Sequence, residues 1–377
     1  PFAKPFPVIC NLIKTVRKQM KFKLITNFLI ITITFFSQTI NSQTKKDNKL
    51  SKDYYENFTR RINDSIPSLG SFIVSKNDKV IYEQYFHGAN KGSVFDVKSV
   101  TKSVTSILTG IAKDKGLIPD LDIPVLKILP EYDISRSQFK NIYDIEGKKE
   151  LDSIRKTLTL KDLLTMSGGF KWKENGGEIS IAQFYSSDPV RFVLDLPFEE
   201  YPGDKFNYST GETQVFGAAL SRMVKTNLKD FADKNLFIPL SLNIERWDTD
   251  VLNRHLAGSE LFMKPTDMLK FGNLVLNNGK IGNKQIVSQK WIEESTAEQV
   301  KLDFWDVLPN ANGYGYYWWR RKTNGHQAFV AVGYGGQIIC IVPDLKMVIV
   351  TTCFLGEKNR GRIELKKLHS FIDEITK

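Results

Sequence analysis

Apolar and polar positions alternate near the two ends of the chain and recur at spacings of three and four through its middle. Residues 71–75 and 80–86 are strand-like runs flanking Asn77-Asp78, the pattern of a β-hairpin. Ahead of them, residues 52–66 repeat apolar and aromatic side chains at helical spacing and stop at Pro67-Ser68-Leu69-Gly70. Residues 93–97 alternate again and give way to a helical pattern carrying Ile107, Leu108 and Ile111, which Lys115-Gly116 ends. Residues 133–156 are strongly charged, lack periodic apolar content and read as a surface excursion. A helix is expected over 158–165, with Thr159 able to cap it, then over 181–185 and 188–194, where Pro189 suits a first turn. A further helix runs through Val215, Ala218, Ala219 and Met223, and others are expected at 228–236, 265–277 and 288–297. The last part changes character: 313–319, 327–331, 336–342 and 347–353 are strand-like, and 362–375 is a closing amphipathic helix. Strands at both ends around a helical middle predict an α+β fold. One antiparallel sheet is assembled from both termini (about 50–95 and 310–377) and flanked by helices, with a mostly helical region (about 115–300) inserted. The cleft between sheet and insertion is the natural site.

The first residues stand apart. Met20 precedes Lys21-Phe22-Lys23 and an almost uncharged run over 24–36, followed by a polar stretch through Ser42. This is the composition of a secretory signal peptide, too short for a spanning helix. The expectation is that 1–19 lie upstream of the true start, 20–42 are the signal and 43–377 form one exported domain, periplasmic or secreted, with no stable membrane anchor after cleavage. The formal charge of +11 shrinks on the same division, because six of the 53 basic residues and none of the 42 acidic ones fall in the first 42. The remaining excess of five has no basic block with interleaved aromatics, which sets nucleic acid aside. Of the three cysteines, Cys340 and Cys353 lie on neighbouring apolar runs. A two-residue turn at Asp344-Leu345 would put Cys340 opposite Ile349, so the pair reads as two buried thiols. The four histidines are scattered, and no metal site or cofactor is expected.

Ser99-Val100-Thr101-Lys102 sits where the strand-like run becomes a helix. Serine at i and lysine at i+3 share a helix face, so the lysine nitrogen can reach the hydroxyl. A serine is a weak nucleophile until a base takes its proton, and lysine serves only when desolvation or positive potential lowers its pKa. The same spacing recurs at Ser42/Lys45, Ser137/Lys140 and Ser153/Lys156, all in polar stretches without a strand before or an apolar-faced helix after. Context, not spacing, singles out Ser99.

Five separated motifs then agree in order: Ser99-Val-Thr-Lys102, Thr159-Leu-Lys-Asp-Leu-Leu-Thr-Met-Ser-Gly168, Tyr201-Pro-Gly-Asp-Lys-Phe-Asn-Tyr208-Ser-Thr210, Ala257-Gly-Ser-Glu-Leu-Phe-Met-Lys-Pro-Thr-Asp267 and Gly333-Tyr-Gly-Gly-Gln337. Together they resemble the serine β-lactamase/penicillin-binding-protein superfamily. The nearest similarity is to its class C-like branch of esterases, D-stereospecific peptidases and 6-aminohexanoate-dimer hydrolases. The resemblance implies a β-lactamase/transpeptidase-like fold with Ser99 as acylated nucleophile, Lys102 as its proton partner and Tyr208 as a shared general base and acid. It implies an oxyanion hole from the backbone N–H groups of Ser99 and Tyr334, each such donor being worth ~3–4 kcal/mol in the transition state. Thr210, Gly333 and Gly335 are the implied substrate-binding residues; Trp172, with Tyr185, Trp318 and Trp319, is a candidate to line an aromatic acyl pocket and bind substrate, although aromatics this frequent are more often core. Two departures bear on substrate. The asparagine of the family's Tyr-x-Asn is Thr210 here, and its Lys-Thr-Gly or His-x-Gly element reads Ala331-Val332-Gly333, without a cation. A small neutral ester or linear amide is therefore the expected small-molecule substrate, handled without cofactor. A β-lactamase or D-Ala carboxypeptidase is the alternative enzyme and a non-turning-over acyl-binding module the alternative outside catalysis. Oligomeric state is not readable.

Overall fold

The computed structural model describes residues 52–133, 148–174, 178–302, 308–355 and 360–377. The expected signal peptide and the residues before it lie outside this set. The chain divides into two compact units, Pro1–Phe58 and Thr59–Lys377. In the first, the described residues are the opening turns of helix α1 (Lys52–Ser65). The second holds everything that follows.

Its frame is a seven-stranded antiparallel sheet. The N-terminal hairpin, β1 (Leu69–Lys76) and β2 (Lys79–Tyr85), turns at Asn77 and Asp78, both with positive φ (52° and 59°) as a two-residue hairpin turn requires. The short strand β3 (Phe95–Asp96) pairs with β4 (Phe262–Met263), and β5 (Lys280–Ile281) with β6 (Lys284–Gln285), each pair apart from the main sheet. The C-terminal part supplies β7 (Ala311–Tyr314), β8 (Trp319–Thr323), β9 (His326–Gly333), β10 (Gln337–Val342) and β11 (Met347–Cys353). The order β2-β1-β11-β10-β9-β8-β7 joins the two ends of the unit through β1 and β11, as expected. Cys340 faces Ile349 across β10 and β11, the register the turn predicts. Both Cys340 and Cys353 are buried free thiols, pushed up to about 12 by burial.

Helix α2 (Val100–Asp114) is the central helix, buried from Val100 to Ala112, and it packs against β9. The inserted region adds α3 (Val125–Ile128), α4 (Lys148–Thr157), α5 (Leu160–Leu164), α6 (Glu178–Phe184), α7 (Pro189–Leu194), α8 (Thr210–Val224) and α9 (Leu228–Ala232). Thr159 caps α5 as read from the sequence. Its Oγ1 accepts from Asp162 N at 3.2 Å while Asp162 accepts from Thr159 N at 2.8 Å, a reciprocal capping box. Helix α10 (Pro265–Leu276) lies on β10 and β11, close enough that a Cβ on Gly272 would stand 2.5 Å from Val348 Cγ1. Helices α11 (Gln289–Thr296) and α12 (Arg360–Ile375) complete the unit.

Two expectations are corrected. Of the charged excursion predicted over 133–156, residues 134–147 lie outside the described residues, and those from Lys148 form α4, which an arginine ties to the rest of the unit. Arg155 is buried, its Nη2 donates to Leu196 O at 3.1 Å, and its guanidinium lies 5.8 Å from the Phe198 ring centroid. The single strand expected over 313–319 is two, since Tyr317 has φ 62° and Gly315 N donates to Trp318 O at 2.8 Å, turning the chain. The missed half, β8, reads Trp-Arg-Arg-Lys-Thr, and its buried positions include Arg321.

Arg321 is fully buried beneath α12. Its Nη1 donates to His369 Nδ1 at 2.7 Å and its Nη2 pairs with Asp373 at 2.5 Å. Burial first, and the neighbouring guanidinium second, hold His369 well below the ordinary histidine range. Because its folded pKa is depressed, the unfolded chain binds this proton first as pH falls through about 6.5, so stability present at neutral pH is lost below it. His369→Gln keeps an acceptor for Arg321. Urea denaturation should show the native protein losing up to about 1.4 kcal/mol per pH unit below that point through this group, and the variant a correspondingly shallower decline.

Candidate active site

The site is built where β3 runs into α2. Val97 N donates to Leu261 O at 2.9 Å, and Lys98 then takes φ 49°, an uncommon conformation for a lysine. Its local supports are clear: Lys98 N donates to Asp96 Oδ1 at 2.9 Å, and Nζ pairs with Asp96 at 2.5 Å and Glu260 at 2.8 Å. This sharp corner delivers Ser99 as the residue preceding the first turn of α2. Ser99 makes no side-chain capping hydrogen bond, so its hydroxyl is left to other partners.

Those partners are Lys102 and Tyr208. Lys102 is 1% exposed, and its Nζ donates to Ser99 Oγ at 3.0 Å, Thr210 Oγ1 at 3.0 Å and Gly258 O at 2.9 Å. Burial pulls Lys102 down to about 8, with the Glu174 carboxylate pulling the other way. A lysine poised there is neutral in a substantial minority of molecules near physiological pH, which suits a general base. Tyr208 hydrogen bonds Ser99 through its side chain. Its half-buried ring stacks on Trp319 (centroids 5.4 Å, 25°), meets Tyr314 edge-on and lies 5.0 Å from Lys102 Nζ. Burial first, then the Glu174 charge, push its phenol up, against the downward pull of the Ser99 bond. Both therefore favour a protonated Tyr208 in the resting site, whereas the shared-base role implied by the resemblance draws on a phenolate.

Helix α8 begins beside this group. Ser209 caps it, its Oγ accepting from Glu212 N at 3.1 Å, which holds Thr210 at the first helical position facing Lys102. Glu174 was not singled out from the sequence. Its carboxylate accepts from Trp172 Nε1 at 2.6 Å, Thr210 N at 2.9 Å and Thr210 Oγ1 at 2.5 Å. Trp172 is thereby accounted for: it is buried, packs where a Cβ on Gly211 would stand 2.7 Å from its ring, and supports the site from behind. Trp318 and Trp319 are buried too, whereas Tyr185 is exposed.

Gly333 ends β9 against the corner itself, since a Cβ there would stand 2.2 Å from Val97 O. Such an approach admits only glycine. Tyr334 follows directly, and Gly335 and Gly336, at φ 85° and 105°, turn the chain into β10. A recess of about 110 Å³ opens beside Thr210 and Gly258, walled by Phe184, Pro189, Val251 and Leu256.

A central buried helix opening on a serine and lysine, a tyrosine ahead of a second helix, and a glycine-ended strand against the same corner form one ordered pattern. Residues 57–368 match the family described as Beta-lactamase. The chain belongs to that family. Solved structures of similar fold include a Bacillus anthracis protein described as a 6-aminohexanoate-dimer hydrolase, 22% identical with a TM-score of 0.64 and covering 84% of this chain and 81% of that one. EstCE1, a hydrolase with promiscuous acyltransferase activity, is 15% identical with a TM-score of 0.65, covering 83% and 96%. At these identities the likeness is one of fold. Among curated proteins, Acyltransferase calJ of Penicillium decumbens is 38% identical over 105 residues, which span 27% of this chain and 23% of that protein.

Proposed function

We propose that this member of the Beta-lactamase family is an exported serine hydrolase that cleaves small esters or linear amides through an acyl-enzyme on Ser99. The observation carrying the reading is the contact of a buried lysine, drawn down to about 8, with the Ser99 hydroxyl at 3.0 Å. Neutral Lys102 takes the Ser99 proton as Oγ attacks the carbonyl carbon, and the proton travels by way of Tyr208 to the departing alcohol or amine. Water then takes the leaving group's place, gives a proton to the Lys102/Tyr208 pair, and its oxygen breaks the acyl bond, returning Ser99 to its hydroxyl. The backbone N–H groups of Ser99 and Tyr334 receive the oxyanion. Ala331, buried, and Val332 stand where the family's cationic element would be, which favours a neutral substrate over one with a recognised carboxylate. The apolar recess beside Thr210 fits a short acyl group.

The test is incubation with p-nitrophenyl acetate and butyrate beside a chromogenic cephalosporin, with acid-quenched intact-mass analysis. Expected are sustained release from the esters, a single acetyl adduct on the Ser99 peptide, and little cephalosporin turnover. A burst without steady release would mark an acyl-binding module, and preference for the cephalosporin a β-lactamase. The partial similarity to an acyltransferase favours a second reading, in which an alcohol intercepts the acyl group. Added alcohols that divert product from acid to ester would support it.

A further inference from the structure

We infer that Glu174 is a positioning residue that aims the proton-accepting lone pair of Lys102 at Ser99 by fixing the Thr210 hydroxyl as an acceptor; this rests on the acyl-enzyme reading above. The argument is a count of hydrogens. Thr210 has one hydroxyl hydrogen, and it is directed to Glu174 Oε1 at 2.5 Å. Thr210 N, donating to Glu174 Oε2 at 2.9 Å, and Trp172 Nε1, donating to the same oxygen at 2.6 Å, hold the carboxylate in place. The Thr210 oxygen can then only accept from Lys102, and the Gly258 carbonyl can only accept by its nature. Ser99 is the one partner of Lys102 Nζ among these three that can also donate. A neutral lysine has two hydrogens and one lone pair. The hydrogens go to Thr210 and Gly258, and the lone pair faces the serine proton. Were the Thr210 hydroxyl free to rotate, it could donate to that lone pair and turn the base away from its task.

Other titratable groups lie on the elements around the site. Tyr208 precedes α8. Glu212, in its first turn, accepts from Gly168 N at 3.1 Å and is raised well above the usual carboxyl range by burial. The Asp96–Lys98–Glu260 group lies across the corner. Glu174 is the charge acting on Lys102 itself, and its effect is upward. Removing that charge has two opposed consequences. Lys102 becomes easier to deprotonate, yet its lone pair is no longer aimed.

The experiment measures the rate at which a fluorophosphonate captures Ser99 as a function of pH, by intact mass, in the full chain. Glu174→Gln replaces an acceptor by an amide that can donate to Thr210. Its limiting capture rate should fall roughly 10- to 100-fold, of the size general-base misplacement brings. The midpoint of its acid limb should move to lower pH. A merely structural disturbance would slow capture without that shift. Thr210→Ser keeps the hydroxyl and should be slowed much less than Thr210→Val, and Glu174→Gln added to Thr210→Val should slow it no further. A Glu174→Gln protein that is captured at the native rate, or slowly with an unmoved midpoint, overturns the inference. Equal rates for the two Thr210 variants overturn it as well, whether or not the Glu174 variant folds. Failure of the underlying reading looks different: the native chain itself is not captured at Ser99 at any pH, and the inference falls with it.

Discussion

Ser99→Ala and Lys102→Met should each reduce steady-state hydrolysis of p-nitrophenyl butyrate on the order of 10⁴-fold, and the double variant should be no worse than either. The reason lies in the shared proton. Lys102 Nζ has three partners, and the one that reacts is Ser99 Oγ at 3.0 Å. Without the hydroxyl there is nothing for the base to activate, and without the base the hydroxyl is an ordinary alcohol. Groups that act as such a unit give non-additive losses, with the residual rate left to backbone donors and binding. The measurement is kcat for the three variants after subtraction of the spontaneous rate. A double variant slower by the product of the single losses would mean that the two residues contribute to separate steps, and the pairing drawn here would be wrong.

Much of this architecture was legible because its apolar pattern and its geometry coincide. β1, β10 and β11 are nearly continuous apolar runs and are buried along almost their whole length. The helix of Ser99 combined a strand-like approach with an apolar face, and both survive in β3 and α2. Even the offset of Cys340 from Cys353 followed from the turn between their strands. What escaped were segments whose buried side chains are charged. β8 is held by Arg321 through His369 and Asp373, forty-eight and fifty-two residues downstream, and α4 by Arg155 against Leu196 and Phe198. No hydropathy pattern registers an arginine satisfied by partners so distant in sequence.

At the site the same division holds. Ser99 and Lys102 are one helical turn apart, so their contact is written in local spacing. Tyr208, Thr210 and Gly258 needed the motifs of the family to be noticed, because folding alone brings them to Lys102 from 106, 108 and 156 residues away. Glu174 had no signal at all: a glutamate two positions after a tryptophan in a loop is common, and its meaning comes from Thr210 across the fold. An aromatic near a catalytic motif reads as a pocket wall or, more often, as core, and sequence does not divide the two. Trp172 is buried, and its indole nitrogen holds the Glu174 carboxylate.

Lys102→Met, the change that removes activity, should also abolish the gain in stability that this lysine gives the protein in alkali. A lysine 1% exposed and drawn from 10.5 to about 8 costs the fold free energy for as long as it is charged. Below about pH 8 both folded and unfolded chains hold this proton, and the cost is present in full, on the order of 3 kcal/mol. As pH rises through about 8 the folded lysine releases its proton while the unfolded one keeps it until about 10.4, so native stability climbs across that window. Methionine has no such dependence, and its unbranched chain fills a similar volume. The substitution also takes a donor from Gly258 O and from Thr210 Oγ1, a loss of about 1 kcal/mol each that does not vary with pH. At pH 7 the balance is a gain of about 1 kcal/mol for the variant, and by about pH 10 it is a loss of similar size. Urea denaturation of the two proteins across this range should therefore give stability curves that cross. Parallel curves would mean that Lys102 keeps an ordinary affinity for its proton, and the chemistry assigned to it would then lack its physical basis. The crossing itself explains why a destabilising residue is kept at the centre of the fold. The desolvation that weakens the native state at neutral pH is the same effect that makes this lysine able to accept a proton from serine there.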